Sequence, residues 1–187
     1  MSAAPHRVRV LAADAIPQAR PRLGEILIDC VGAGASIGFL DSLSAAEADS
    51  YWLRIERAVT AGSCVLLAGE LESGELAGTV QLDIDTLPNQ PHRATVSKLL
   101  VHTSARRHGL GEALMRALES EALERGRWLL TLDTATGDAE RLYKRLGYTR
   151  AGLIPDYAMN PDSSLTATTF FWKRLWAEAG ALDPPID

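Results

Sequence analysis

The sequence has no apolar run long enough to cross a membrane. Its more apolar stretches, such as residues 65–68 and 128–132, fall far short of the ~20 residues that a bilayer helix requires. The first ten residues pass into a strand-like alternation without the apolar centre of a signal peptide. We therefore expect a soluble, cytoplasmic protein that does not bind membranes.

Cysteine is also scarce. Cys30 and Cys64 are the only two in the chain, which is too few for a disulfide scaffold. Neither has a recognisable catalytic partner in the sequence, so we expect both to be small buried hydrophobic residues. No clustered pattern of histidine, cysteine and carboxylate residues indicates a metal site, and we expect none.

Positive charge is in deficit, because 19 Lys and Arg residues face 24 Asp and Glu residues and leave a net charge of -5. A broad nucleic-acid surface needs a basic face, so we expect no nucleic-acid partner. A composition of 47% hydrophobic and 23% charged residues suits one compact domain over residues 1–187. Within it we expect an ordered core at 7–176 and a loose tail at 179–187.

The hydrophobic patterns predict alternating runs of strands and helices. Ser44 and Glu47 form the SxxE signature of a helix start, and residues 72–74 separate two strand-like runs as a hairpin turn would. The predicted order is β-α-α-β-β-β-α-β-α-β-β. The strands are expected at 8–12, 64–71, 76–85, 95–101, 128–132, 148–153 and 166–172, and the helices at 16–31, 45–60, 110–126 and about 139–146.

The segment 96–111, VSKLLVHTSARRHGLG, joins a strand-like run to a basic, glycine-spaced loop that opens into a helix. Glycine lets the backbone approach a ligand, and the unpaired N–H groups of a helix start attract anions. Arg106, Arg107 and His108 precede Gly109 and Gly111 and add positive charge. The pattern indicates a phosphate site, although a strand end with solvating arginines would also satisfy it. A Rossmann turn lacks support because no third glycine follows, and no GK[ST] of a P-loop is present.

The RxxGxG pattern at Arg106, Gly109 and Gly111 resembles the acetyl-CoA signature of the GNAT superfamily of N-acetyltransferases. The resemblance continues through LLTLDT and AERLYKRLGYTRAG in family order, and the wording is most similar to the tabtoxin-resistance acetyltransferases, including DYAMNPDSSLTATTFFWK. It implies a single α/β domain of the α+β type. The central sheet would be mixed and mostly antiparallel, with its fourth and fifth strands splayed apart and helices on both faces.

The resemblance also implies acetyl-CoA as co-substrate. The backbone of the fourth strand would pair with the pantetheine arm like an added strand, and the basic loop would surround the pyrophosphate. A threonine stands at 136, where the family often has asparagine. The residues assigned to acetyl-CoA in this way are Leu99, Leu100, Val101, Arg106, Arg107, His108, Gly109, Leu110, Gly111, Glu112 and Thr136.

Two residues are candidates for the chemistry. Tyr143 matches the tyrosine of the family's LY-KxLGY segment and would protonate the departing thiolate, although it would equally suit a half-buried packing position. Asp133, at the end of the fifth strand, would accept a proton from the amine or cap the following turn. Asp83 and Asp85 are weaker alternatives as the base.

Taken together, the resemblance implies an N-acetyltransferase that moves an acetyl group to a primary amine by direct attack in a ternary complex. Two alternatives stay open: a catalytically inactive, CoA-binding regulatory module and a Rossmann oxidoreductase. We expect a small-molecule amine as the partner, and a homodimer is compatible with the sequence. The acceptor could be an antibiotic-like amine, an amino-acid derivative, a polyamine or a protein amine.

Overall fold

The structure, a computed structural model, describes residues 6–35, 37–39, 43–160 and 164–175. The expected loose tail and Pro161, Asp162 and Ser163 lie outside these residues. The described elements follow the predicted order. They are β1 (Arg7–Val10), α1 (Ile16–Gly32), α2 (Ala45–Thr60), β2 (Cys64–Glu70), β3 (Leu76–Asp83), β4 (Arg93–Val101), α3 (Leu110–Glu124), β5 (Leu129–Thr134), α4 (Gly137–Arg145), β6 (Thr149–Met159) and β7 (Leu165–Arg174).

The strands form one sheet in the order β1-β2-β3-β4-β5-β7-β6. Every neighbouring pair is antiparallel except β4 and β5, which are parallel. These two strands pair only where Arg93, Ala94 and Thr95 lie opposite Leu129, Leu130 and Thr131, and they separate beyond that point. The predicted fold class, with its splayed fourth and fifth strands, is therefore confirmed.

Helices cover both faces of this sheet, and each face has its own core. Consecutive side chains of a strand point to opposite faces, so Leu66 and Leu67 of β2 enter different cores. On one face α1 and α2 contribute Leu27 and Trp52, and on the other α3 and α4 contribute Leu114 and Tyr143. Cys30 and Cys64 are free and buried, as expected.

The start of α2 is fixed by the predicted capping box. The backbone N–H of Glu47 donates to Ser44 Oγ at 3.2 Å, and the backbone N–H of Ser44 donates to Glu47 Oε2 at 2.9 Å. The free N–H groups of the first helical turn thereby gain partners. Among the described residues, no helix combines the length and the apolar character needed to cross a bilayer.

The structure extends several elements beyond their predicted ends, β5 and β6 among them. Strand β5 continues to Thr134, so Asp133 lies inside it, paired with Phe170 of β7. Strand β6 continues to Met159 past Pro155, with an irregularity between Ile154 and Ala158. Because β6 is an edge strand, the missing N–H of a proline removes no necessary ladder bond there.

Helix α3 packs closely against β2 and β3, and two glycines permit this. A Cβ atom at Gly69 would lie 2.7 Å from Leu110 Cδ1, and one at Gly78 would lie 2.8 Å from the carbonyl oxygen of Leu100. Leu110 and Leu114 fill the space that these missing side chains leave. The first turn of α3 is consequently held against the sheet beside β4.

We expect Gly78→Ala to destabilise the protein by about 1–3 kcal/mol, because the new methyl group would meet a backbone oxygen that has little room to move. Urea denaturation measures the change. Gly152→Ala is the control, since a Cβ there would meet no atom within 4 Å, and it should alter the free energy of unfolding by less than about 0.5 kcal/mol. Equal stability of the two variants would contradict the close packing.

Candidate active site

The cleft lies where β4 leaves β5. Thr95 and Thr131 form the last pair of the parallel ladder, and their hydroxyl oxygens are 3.4 Å apart. Beyond Thr95, β4 keeps β3 as its neighbour but has no ladder with β5. A peptide-like chain of amides could pair with that edge as an added strand would.

A bulge in β4 shapes this edge. Lys98 has φ of +50°, in the left-handed region that lysine rarely adopts, and the register with β3 shifts between Thr79 and Gln81. Leu100 is buried in the core beneath α1 and α2, whereas Leu99 and Val101 pack against the core on the α3 side. Three of the predicted cofactor residues thus present their main chain along the cleft while their side chains belong to the cores.

The predicted phosphate loop ends in a helix start that has no side-chain cap. Gly109 is the N-cap of α3, with φ of +89°, and the first helical bond runs from the N–H of Ala113 to the carbonyl of Gly109. The N–H groups of Leu110, Gly111 and Glu112 therefore have no partner within the helix. Such a group of donors at the positive end of a helix suits a pyrophosphate.

The two loop glycines leave space for a ligand. A Cβ at Gly109 would meet no atom within 4 Å, so the surface there is open. Glycine is favoured at this position because the backbone is left-handed. A Cβ at Gly111 would make ordinary contacts, at 3.6 Å to Leu142 Cδ2 and 3.8 Å to Val101 Cγ2. Internal packing therefore does not require glycine at 111.

The basic side chains of the loop have different surroundings. Arg106 is exposed but folds back onto the protein, where its Nε donates to the carbonyl oxygen of Val101 at 3.0 Å and its guanidinium lies 3.8 Å from Cys30 Sγ. Arg107 and His108 are exposed. Arg106 thus positions the loop, whereas Arg107 and His108 are free to face an anionic ligand.

The loop is also attached to α1 through a carboxylate. Asp29 accepts hydrogen bonds from the backbone N–H of Thr103 at 2.8 Å and from the Thr103 hydroxyl at 2.7 Å. Thr103 begins the short 3-10 turn that leads from β4 into the basic loop. Asp29 and Arg106 together hold both ends of this turn.

Glu112 offers a ligand its backbone and not its carboxylate. Its side chain accepts hydrogen bonds from Arg116 of α3 and Arg145 of α4, at 2.8 and 3.3 Å. The bond from Arg116, followed by that from Arg145, lowers the pKa of the Glu112 carboxyl. A carboxylate held in this way remains charged and would repel a phosphate, while the N–H at the helix start attracts one.

Tyr143 is buried at the end of α4. The ring lies in the core, 5.8 Å from the ring of Tyr148 and 6.0 Å from that of Phe171. The residue as a whole is only 6% exposed. Burial, together with the charge of Asp133, raises the pKa of Tyr143 to about 12, so its proton stays in place at neutral pH.

Asp133 and Lys98 influence each other across the cleft. Desolvation by the cleft walls raises the pKa of Asp133, although its side chain is open to solvent, and the charge of Lys98 opposes the rise. Burial likewise lowers the pKa of Lys98, and Asp133 opposes that change. Within the described part of the chain the two charged groups form no ion pair within 4.0 Å.

Sequence reasoning missed Lys98. The available signal was a single lysine inside the otherwise apolar run VSKLLV. The structure places Thr136 at the start of α4, where its backbone N–H donates to Thr134 Oγ1 at 3.2 Å.

Asp83, a weaker candidate for the base, accepts a hydrogen bond from the backbone N–H of Asp85 at 3.0 Å, which is the bond of a local turn. Among the described residues, no group of three or more His, Cys, Asp or Glu residues could hold a metal.

Comparisons with known proteins give this geometry a context. A family model described as the acetyltransferase (GNAT) family matches residues 36–148. A protein of Acinetobacter baylyi ADP1 assigned as an acetyltransferase is 17% identical, with a TM-score of 0.80 over 98% of this chain and 99% of its own. A ribosomal-protein-alanine N-acetyltransferase from Brucella melitensis is 20% identical, with a TM-score of 0.72 over 90% and 99%. A phosphinothricin acetyltransferase from Sinorhizobium meliloti, in complex with acetyl-CoA, is 19% identical, with a TM-score of 0.73 over 97% and 94%. At these identities the structures show a shared fold.

We expect Asp133→Asn to raise the free energy of unfolding at neutral pH. A carboxyl whose pKa is raised by folding destabilises the folded state once the pH exceeds its unfolded value, and asparagine removes that charge. The gain should shrink as the pH falls through the folded pKa of Asp133 towards 3.8, the ordinary value. Thermal unfolding at several pH values tests this, with Asp85→Asn as the control at an exposed turn. A variant less stable than the parent at neutral pH would contradict the proposed desolvation.

Proposed function

Because the chain belongs to the acetyltransferase (GNAT) family, we propose that it transfers an acetyl group from acetyl-CoA to a primary amine in a ternary complex. The observation that carries this proposal is the cleft between β4 and β5. An unpaired strand edge, an uncapped helix start and the pair Tyr143 and Asp133 all adjoin it. Each of these features suits one part of an acyl-transfer site.

The chain offers acetyl-CoA a matching set of groups. The β4 edge at 99–101 suits the amides of the pantetheine arm, and the N–H groups at the start of α3 suit the pyrophosphate. Arg107 and His108 add positive charge at the surface, and the Thr136 hydroxyl is available at the start of α4. Arg106 supports this site by fixing the loop.

Acetyl-CoA supplies the acyl group as a thioester, which the amine attacks so that a C–N bond forms and the C–S bond breaks. Asp133 would accept the proton that the amine loses, and its raised pKa makes it a better base than an ordinary aspartate. Tyr143 would donate a hydrogen bond, and then its proton, towards the departing sulfur. The proton balance closes when the proton that Asp133 took from the amine passes through solvent to the Tyr143 phenolate, and the enzyme forms no covalent bond.

We also propose that the chain lies near the tabtoxin-resistance acetyltransferases and acts on a small-molecule amine. The support is the motif similarity, together with the charged groups Asp133 and Lys98, which influence each other's pKa without forming an ion pair among the described residues. The fold by itself is compatible with different acceptors, since one neighbour is named for phosphinothricin and another for a ribosomal-protein alanine.

The direct test is release of CoA thiol from acetyl-CoA across a panel of amines, amino acids, polyamines and peptides. A ternary complex predicts intersecting lines when initial rates are measured against both substrates. Tight binding of acetyl-CoA without turnover on any acceptor would favour an inactive binding module. Parallel lines would contradict direct attack.

Tyr143→Phe should lower kcat by roughly 100-fold or more while leaving the affinity for acetyl-CoA nearly unchanged, because it removes only the proton donor. The ring that packs against Tyr148 and Phe171 is retained, so the stability should change little. Steady-state kinetics and thermal unfolding separate these effects. An unchanged kcat would remove Tyr143 from the chemistry.

Gly111→Ala should weaken acetyl-CoA binding about tenfold without destabilising the protein. Its Cβ would find room inside the protein but would narrow the approach to the helix start, and alanine favours helix over glycine. Titration calorimetry with acetyl-CoA measures the affinity. Gly24→Ala in α1, whose Cβ would lie 3.8 Å from Ala48, is the matched control and should bind acetyl-CoA normally. Equal affinity of both variants would contradict the proposed pyrophosphate site.

A further inference from the structure

The β4 bulge directs a lysine to the acceptor side of the cleft. A Cβ built at Gly38, in the connection between α1 and α2, would lie 3.8 Å from Lys98 Nζ. The Lys98 ammonium thus lies beneath this connection, in a position that burial partly desolvates. Within the described residues, no acceptor lies within hydrogen-bonding or ion-pairing distance of Lys98 Nζ.

A second cation faces the same region from α2. The charge of Arg54 reaches Lys98, where it further lowers the pKa of the ammonium. The Arg54 guanidinium lies over the ring of Tyr51 at 5.2 Å from its centroid, and it forms no ion pair within the described part of the chain. Tyr51 is in turn held by Gln81, whose amide and the tyrosine hydroxyl exchange hydrogen bonds of 3.0 and 2.8 Å.

A cavity of about 410 Å³ is lined by Arg54, and its lining residue Phe39 follows Gly38, the glycine near Lys98 Nζ. Phe39 stands next to Gly38 and packs edge-on against Tyr51, with ring centroids 5.4 Å apart. Glu47 also lines the cavity. Its carboxylate already accepts hydrogen bonds from the hydroxyl and the backbone N–H of Ser44 in the capping box. The lining residues are Phe39, Leu43, Ala46, Glu47, Ser50, Tyr51 and Arg54.

Apart from Glu47, which the capping box holds, the charged groups named here lie on two sides of the region. Lys98 and Arg54 lie on the side of α2, and Asp133 lies on β5 near Tyr143. Lys98 and Asp133 are close enough to shift each other's pKa, yet they do not touch. A partly desolvated cation without a direct partner is unfavourable, and an anionic group of a ligand would relieve that cost.

We propose that the acceptor is an amino-acid-like molecule, in which an acid group on the same molecule as the primary amine binds Lys98 with the help of Arg54. This inference rests on the proposed function. The amine would then lie towards Asp133 and the thioester, and the aromatic cavity would take the acceptor's side chain. Lys98 thus determines specificity, and Asp133 remains the group that receives the proton.

The test compares amino acids with their own carboxamides, for example leucine with leucinamide and phenylalanine with phenylalaninamide. The two members of each pair share the side chain and differ in the charge of the acid group, and their rates are compared per neutral amine because the amine of a carboxamide has the lower pKa. For the parent enzyme we expect kcat/KM to favour the amino acids. In Lys98→Met the ratio of acid to carboxamide should fall by about 10- to 100-fold, through a higher KM for the acid.

Matched arginine variants of α2 provide the control. Arg54→Met should reduce the acid preference by a smaller factor than Lys98→Met. Arg57→Met removes the same charge one helical turn further along, on an exposed position, and should retain the parent preference. Lys98→Arg should recover part of the preference because it restores the cation.

Two outcomes would overturn the inference while the proposed function stands: turnover that favours the carboxamides, or an equal loss of kcat for both members of each pair in Lys98→Met. The second would make Lys98 part of the chemistry. If no acceptor supports turnover, the proposed function fails. Binding of leucine, followed by NMR in parent and Lys98→Met proteins, still decides the inference: equal affinity refutes it, and weaker binding by the variant supports it.

Discussion

The separation of β4 from β5 is the constraint on which the rest of the site depends. Each strand follows a different neighbour, since β4 remains paired with β3 and β5 remains paired with β7 along its whole length. The parallel contact between them is only three residues long, so nothing holds their ends together beyond Thr95 and Thr131. An opening inside a sheet exposes backbone groups that would otherwise be satisfied, and a ligand rich in amides can satisfy them.

Core packing places the start of α3, which is the proposed anion site, beside that opening. Leu110 is fully buried against Gly69 and Gly78, while Gly109, its neighbour in sequence, lies at the surface. The apolar side chain anchors the helix start to the sheet, and the adjacent backbone stays open to solvent. The position of the free N–H groups is therefore as rigid as the core beneath them.

Most of the fold could be predicted because the signals were local. The capping residues Ser44 and Glu47, the glycine after each helix and the alternating strands all act within a few residues of chain. The end of β6 could not be predicted, because Pro155 interrupts the strand pattern and only its edge position makes that acceptable. Lys98 could not be identified for a related reason. Its role depends on a bulge and on the approach of Gly38, Arg54 and Asp133, which are remote in sequence.

The contacts from α1 to the basic loop have a thermodynamic consequence. Asp29 accepts hydrogen bonds from Thr103, and the Arg106 side chain donates one to the carbonyl oxygen of Val101. These contacts within the protein order the backbone that leads from the end of β4 towards the start of α3. A loop of this kind loses little conformational entropy when an anion arrives, since its ordering is completed during folding. The entropic cost of ordering the loop is met during folding, so a larger part of the attraction between the loop and a phosphate would contribute to the free energy of binding.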